Sequence, residues 1–237
     1  RADVGVHSCK DLPSELPPGL VLAAVPLRED PSDVLISRPK VSFAALPAGA
    51  RIGTGSPRRR AQLLAVRPDL EVSEARGNVD TRIRRLEEGR WNAIVLARAG
   101  LARLGRLDEV CDVFPPAVLL SAVGQGALAL VTREDDAEAA GAIAALDHGP
   151  SHREVLAERR LLRRLHAGCQ APLAGRATVI ESDGTIRLAA AVFSPNGSQM
   201  LREEAEGSAQ DPVEVADRVA TRLLARGAER ILQESRS

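Results

Sequence analysis

The sequence predicts an α/β protein: two α/β domains joined by two crossings of the chain, then an α+β domain with a three-stranded antiparallel sheet. Three observations carry this. Residues 50–105 alternate strand-like and helix-like segments. Residues 176–205 hold three strand-like runs separated by the turn signals Asp183-Gly184 and Asn196-Gly197. Helical periodicity at 151–165 and 212–226 flanks those runs.

The elements follow in order. "ADVGVHS" at 2–8 reads as a strand, and "GLVLAAVPLRED" begins as a second apolar run that continues into the next unit. From residue 50 the reading is strand "ARIGTG", helix 57–66, strand 70–75, helix 78–88, strand 92–97 and a short helix near 98–103. Such alternation implies a parallel sheet covered on both faces, with ligands beyond the carboxyl ends of its strands. "SAVGQGALALV" at 121–131 reads as a glycine-broken apolar strand that returns the chain to the domain of which 1–26 is the remnant. The last part gives helix 151–165, strands near 176–181, 185–193 and 198–205, and helix 212–226. The expected division is 1–26 with 127–146, then 27–126, then 147–237. The two crossings make a hinge, and a cleft at a hinge is a common ligand site.

Composition excludes several classes of function. Cationic and anionic residues balance at 32 each, so no global field draws the chain to nucleic acid or an anionic membrane. Aromatic residues are 2% of the chain and tyrosine is absent, which leaves few side chains for stacking on bases. The apolar runs are too short to span a bilayer. Cys9, Cys111 and Cys169 lie far apart with no C-x-x-C pair, giving neither a disulfide framework nor a zinc site and fitting a reducing cytoplasm. The chain opens at Arg1 directly into a strand, so an N-terminal segment is expected to be missing.

"GTGSPRRRAQL" at 53–63 places Arg58, Arg59 and Arg60 in the first turn of a helix, where each cation costs about 0.3–1 kcal/mol against the helix dipole. An anion bound by forked guanidiniums and backbone N–H groups offsets this, at about 1.5–3 kcal/mol per charge-assisted bond. Arg76 and Arg82 in "RGNVDTR" and Arg103 in "GLARLG" also fall at or just after strand ends. Arg60, Arg84 and Arg85 read as a solvated face. The G-K-[ST] ending of a phosphate loop is absent, which leaves a polycarboxylate as the better ligand.

"VHSCKDLP" at 6–13 sets Lys10 beside Asp11 at a strand end. Asp11 is either a turn residue or a carboxylate that stabilises a developing cation or carries a proton. His7 reads as a core or surface residue, and Cys9 and Cys111 as small buried hydrophobes. Cys169, in "HAGCQAP" after Gly168, sits in a loop where a thiol can anchor something covalent.

Taken together, "VHSCKDLP", "GTGSPRRRAQLL", "ARGNVDTRIRRLEEG", "AIVLARAGLARLG", "SAVGQGAL" and "GCQAP", in this order and spacing, resemble the porphobilinogen deaminase (hydroxymethylbilane synthase) family over almost the whole chain. The resemblance implies two periplasmic-binding-protein-like α/β domains, the first incomplete here, and a C-terminal α+β domain. It implies a cytoplasmic monomer of tetrapyrrole biosynthesis that condenses four porphobilinogen molecules head to tail, releases ammonia each time, and hands its linear bilane over to the next pathway enzyme. Cys169 would carry a dipyrromethane cofactor through a thioether, and Asp11 would be the catalytic carboxylate. Ser8, Lys10, Thr54, Ser56, Arg58, Arg59, Arg76, Arg82, Arg103 and Gly168 match cofactor- and substrate-binding positions. No metal and no nucleic acid are implied. Cys9 stands where many relatives have methionine, and Gly55 and Pro57 replace residues often seen as serine and leucine. Relatives start with roughly seventy further residues, so the chain as given is expected to be weakly active or inactive by itself. The rival reading is a non-catalytic carboxylate-binding module of the periplasmic-binding-protein type, which has no use for a modified cysteine.

Overall fold

The computed structural model describes residues 2–168 and 171–234. In chain order its elements are β1 (Gly5–Ser8), β2 (Leu20–Ala24), β3 (Asp33–Ser37), β4 (Arg51–Gly53), α1 (Pro57–Val66), β5 (Glu71–Ser73), α2 (Val79–Glu87), β6 (Ala93–Ala97), α3 (Arg98–Arg103), β7 (Asp112–Val113) and β8 (Leu128–Arg133). They continue with α4 (Ala137–Ile143), α5 (Gly149–Arg164), β9 (Leu173–Ile180), β10 (Thr185–Phe193), β11 (Met200–Ser208), α6 (Pro212–Ala225) and α7 (Ala228–Glu234).

Three sheets organise the chain. In the first, β8 lies between β1 and β2 and pairs antiparallel with both. The second has the order β5-β4-β6-β3-β7, and the third is the antiparallel meander β11-β10-β9. The second sheet departs from the parallel expectation. β4 runs parallel to β5 and β6, but β3 runs antiparallel to β6, with Asp33 opposite Ala97, and β7 is antiparallel to β3. β3 arrives from the first sheet rather than through a strand–helix–strand crossover, so no right-handed crossover forces it parallel. Val34 and Ile36 face one side with Ile94 and Leu96, while Leu35 faces the other with Val95 and Ile52. Both faces are apolar, so "DVLIS" lacks the alternation that would have marked it as a strand.

The 121–127 segment is a turn, and the strand begins only at Leu128. Gly124 and Gly126 have φ of +70° and +86°. A Cβ on Gly124 would lie 2.8 Å from Cys9 Sγ, and one on Gly126 would lie 2.2 Å from the Glu29 carbonyl oxygen. Both conformation and space therefore demand glycine on each side of Gln125.

Local signals explain the helix starts. Ser56 caps α1 by accepting from Arg59 N, with Pro57 in the first turn; Asn78 caps α2 through Thr81 N, and Asp211 caps α6 through Glu214 N. In the third sheet, α5 and α6 bury Leu161, Val215, Val219 and Leu223 against Ile186, Leu188 and Val192. Each such large side chain contributes about 1.5–3 kcal/mol. This layer touches both other sheets: Val155 of α5 packs with Val25 and Ala129, and Ala61 of α1 packs with Ala174, Ala191 and Phe193. Among the described residues no helix is long and apolar enough to cross a membrane.

Candidate functional site

The carboxyl ends of β4 and β6 meet the start of α1, and the antiparallel direction of β3 brings its first residue, Asp33, to the same edge. Asp33 is completely buried. Its Oδ2 accepts from Arg58 at 2.7 Å; its Oδ1 accepts from Arg59 Nε at 3.0 Å, Arg59 Nη2 at 2.7 Å and Gln125 Nε2 at 2.9 Å. Burial alone would raise the Asp33 pKa, but Arg58 and Arg59 outweigh it and hold the carboxyl at about 2. The arginines at the start of α1 thus already have a counter-ion within the protein. It neutralises only one of two positive charges.

A cavity of about 350 Å³ opens on this cluster, lined by Lys10, Asp11, Ser56, Arg58, Arg59, Arg82 and Gln125 with Gly55, Pro57 and Ala122. Burial, and next the neighbouring Arg59, lower the Lys10 pKa to about 8. Burial also lowers the pKa of Arg58 and Arg82. Arg58 Nε, Arg82 Nε and Gln125 Oε1 are buried with no hydrogen-bond partner. The wall is thus mostly cationic, holds unused donors and contains one exposed carboxylate, Asp11.

The other predicted residues are spread around this cavity. Ser8 ends β1 ahead of the short turn of helix at Cys9–Asp11. Thr54 is buried, its Oγ1 accepting from Ser56 N, and it lines an adjoining cavity of about 360 Å³ with Ser73, Arg60, Pro172 and Pro195. Arg103 is exposed and donates to the Gly126 carbonyl at 2.7 Å, tying α3 to the glycine turn. Arg76 stands apart: it points to solvent with 81% of its side chain accessible and pairs with Glu74. Gly168 is exposed and a Cβ there would meet nothing within 4 Å, so packing does not require glycine. Cys169 lies outside the described residues. Cys9 is buried, and burial pushes its thiol to about 11.

Sequence reasoning missed Asp33 and Gln125. Each left a signal: an acidic residue opening the apolar run "DVLIS", and a polar residue bracketed by glycines in "GQG".

The donor set fits dipyrromethane. A group whose pyrrole rings carry carboxylates needs cations that are not fully neutralised, and Lys10, Arg58, Arg59 and Arg82 present a surplus of charge and two unpartnered buried guanidinium nitrogens. Among the described residues there is no cluster of three metal-ligating side chains.

Comparison with known proteins agrees with this chemistry. Residues 1–141 match the family model "Porphobilinogen deaminase, dipyromethane cofactor binding domain", and residues 152–225 match "Porphobilinogen deaminase, C-terminal domain". Porphobilinogen deaminase of Desulforudis audaxviator is 49% identical over 99% of this chain and 75% of its own length. The Brevibacillus brevis enzyme is 47% identical over 99% and 75%, and that of Thermus thermophilus 46% over 99% and 77%. Among solved structures, a YaeC-family lipoprotein from Enterococcus faecalis is similar at 14% identity and a TM-score of 0.37, over 54% of this chain and 62% of that one. Two family models that together span most of the chain, and relatives near half identity along it, give one conclusion: the chain belongs to the porphobilinogen deaminase family.

Proposed function

We propose that the chain performs the family's transferase reaction in tetrapyrrole biosynthesis, condensing porphobilinogen head to tail with loss of ammonia, and that the cavity around Asp11 is where it does so. The observation that carries this is the placement of one carboxylate, Asp11, in a cavity otherwise lined by Lys10, Arg58, Arg59 and Arg82. Porphobilinogen has the complementary charges: an acetate and a propionate for the cations, and an aminomethyl group for the carboxylate.

The cations orient the ring through its acid side chains, each charge-assisted bond contributing about 1.5–3 kcal/mol. Asp11 holds a proton at the departing amine nitrogen, opposes the positive charge that develops as ammonia leaves, and takes the proton lost from the ring carbon after coupling. Dipyrromethane, when bound, supplies the primer onto which rings are added; Lys10, Ser56, Arg58, Arg59 and Arg82 would hold it, with Cys169 as its attachment point. Thr54, Ser8, Arg103 and Arg76 would serve longer chains of rings. The same reading divides the chain into 1–26 with 127–146, 27–126 and 147–237, and takes it as a cytoplasmic monomer. The non-catalytic alternative has no observation in its favour once relatives cover 99% of the chain.

Intact mass and turnover test the proposal. Protein made in cells should carry an adduct of two linked pyrroles that is lost in Cys169→Ser. Asp11→Ala should lower turnover of porphobilinogen by roughly 10²–10⁴-fold, the usual contribution of a proton-transferring side chain. Near-normal turnover in Asp11→Ala would remove that residue from the mechanism.

A further inference from the structure

Helix α5 packs in the layer of the third sheet, yet one of its arginines reaches the turn that carries Asp11. Arg159 is 7% exposed, and its Nη2 donates to the Pro13 carbonyl at 2.9 Å and to the Ser14 carbonyl at 3.2 Å. The same guanidinium lies near enough to the Cys9 thiol to oppose the upward push that burial gives its pKa. One turn further along α5, Arg163 pairs with Glu15 at 3.4 Å. Arg159 therefore flanks Lys10, Asp11 and Leu12 on both sides, with Cys9 before them and Pro13 and Ser14 after them. The helix itself is held in place, because Glu158, the preceding residue, accepts from the backbone N–H groups of Gly124 and Ala177.

The turn needs such a hold. Cys9–Asp11 is one short turn of helix closed by a long bond, Leu12 N to the Cys9 carbonyl at 3.3 Å, and a run this short has little stability of its own. Its upstream end is fixed: Cys9 is buried with Val25, Ala127, Ala129 and Val155, and its N–H donates to the Ala127 carbonyl at 3.0 Å. Its downstream end runs into 13–19, a stretch that is neither helix nor strand and opens with Pro13, which has no N–H to donate. A guanidinium suits this place, since it cannot lose its proton and its planar fork has donors for two successive carbonyls and a neighbouring thiol. We infer that Arg159 is a positioning residue for the transferase reaction: by holding both ends of the turn, it fixes where Asp11 stands in the cavity. This rests on the proposed role of Asp11. Misplacing a reacting group by about 1 Å can cost about 10²-fold in rate. Arg58 and Arg59 on α1 and Arg82 on α2 stand on other elements and keep their places, so loosening the turn should act on kcat more than on KM. Lys10 moves with the turn, and a small rise in KM accompanies the loss.

Kinetics of the holoenzyme test this. Arg159→Ala and Arg159→Gln should lower kcat for porphobilinogen about tenfold or more, while KM stays within about threefold of wild type. Millimolar guanidinium chloride should restore part of kcat in Arg159→Ala and none in Asp11→Ala, a distinction that a general loss of stability would not make. Wild-type kcat in both Arg159 variants, a change confined to KM, or an equal response of Arg159→Ala and Asp11→Ala to guanidinium overturns the inference. If neither Arg159 variant folds, Arg159→Lys decides, since it keeps the charge but lacks the fork: a lowered kcat at unchanged KM supports the inference and a wild-type kcat overturns it. Amide hydrogen exchange over residues 10–14 reports on the turn whether or not porphobilinogen is consumed. Faster exchange there in Arg159→Gln, or in Arg159→Lys if that alone folds, supports the clamp, and unchanged exchange overturns it. Near-normal turnover in Asp11→Ala would instead strike the role of Asp11 on which the inference rests.

Discussion

Two buried ionic clusters lie on either side of the glycine turn, and their difference separates a structural charge network from a ligand-binding one. In the first, Glu158 accepts from Arg28 through both oxygens, at 2.7 and 3.1 Å, and also from the backbone N–H groups of Gly124 and Ala177. Glu154 accepts from Arg28 and from Val179 N. Arg28 spends its remaining Nε on the Gln125 carbonyl. Carboxylates outnumber the guanidinium, burial raises the Glu154 pKa, and the balance is supplied by main-chain donors of the glycine turn and the third sheet. Every guanidinium nitrogen is used. In the second cluster, around Asp33, guanidiniums outnumber the carboxylate two to one and Arg58 Nε and Gln125 Oε1 stay unpartnered beside a cavity. The first cluster joins β2's exit, α5 and β9; the second waits for something outside the chain.

Breaking the first cluster should produce the largest effect. Glu158→Gln leaves Arg28 only its 3.3 Å pair with Glu154 and removes the charge from a buried carboxylate that accepts from Arg28, Gly124 N and Ala177 N, a loss of about 3–5 kcal/mol. Urea denaturation should show a midpoint lowered accordingly, and no polycarboxylate should restore it. Asp33→Asn gives a loss of similar origin, two buried guanidiniums facing each other, but with a different remedy. Because this cluster faces the cavity, a dicarboxylate such as succinate at millimolar concentration should recover part of the midpoint in Asp33→Asn and none in Glu158→Gln. Equal behaviour of the two variants would erase the distinction. Acid should act on wild type through the same group. The folded-state pKa of Asp33 is depressed from 3.8 to about 2, so its stabilisation is present above the higher value and is lost as pH falls between them.

What was legible in the sequence follows the same line. Helix α1 falls at 57–66 and β10 at 185–193 as the patterns predict, because caps, prolines and Asn-Gly or Asp-Gly turns are local signals. The cavity residues Lys10, Asp11, Arg58, Arg59 and Arg82 were legible as charges at strand ends, and Ser56 through the family resemblance. Asp33 was not, since its role depends on β3 running against β6, a pairing that no local pattern encodes. Gln125 was hidden for a related reason: "GQG" announces a turn, but only the fold shows that the turn crosses the Asp33 cluster. Arg76 shows the opposite case, a strand-end arginine whose local position matched the others and whose side chain lies in solvent, paired with Glu74.

The smallest effect concerns Lys10, where the cationic surplus can be tuned without breaking the cluster. Burial and the nearby Arg59 lower its pKa to about 8, so the ammonium is charged below that pH and neutral above it. A charged Lys10 attracts the carboxylates of porphobilinogen and a neutral one does not. The KM of wild type should therefore rise as pH passes upward through about 8, while a bound carboxylate, by favouring the ammonium, should move the corresponding limb of kcat to higher pH. Lys10→Arg keeps its proton throughout and should flatten the KM limb between pH 7 and roughly 9.5, with little change at pH 7. The retention of the limb in Lys10→Arg would assign it to another group, and would show that the second cluster draws its ligand by fixed guanidiniums alone.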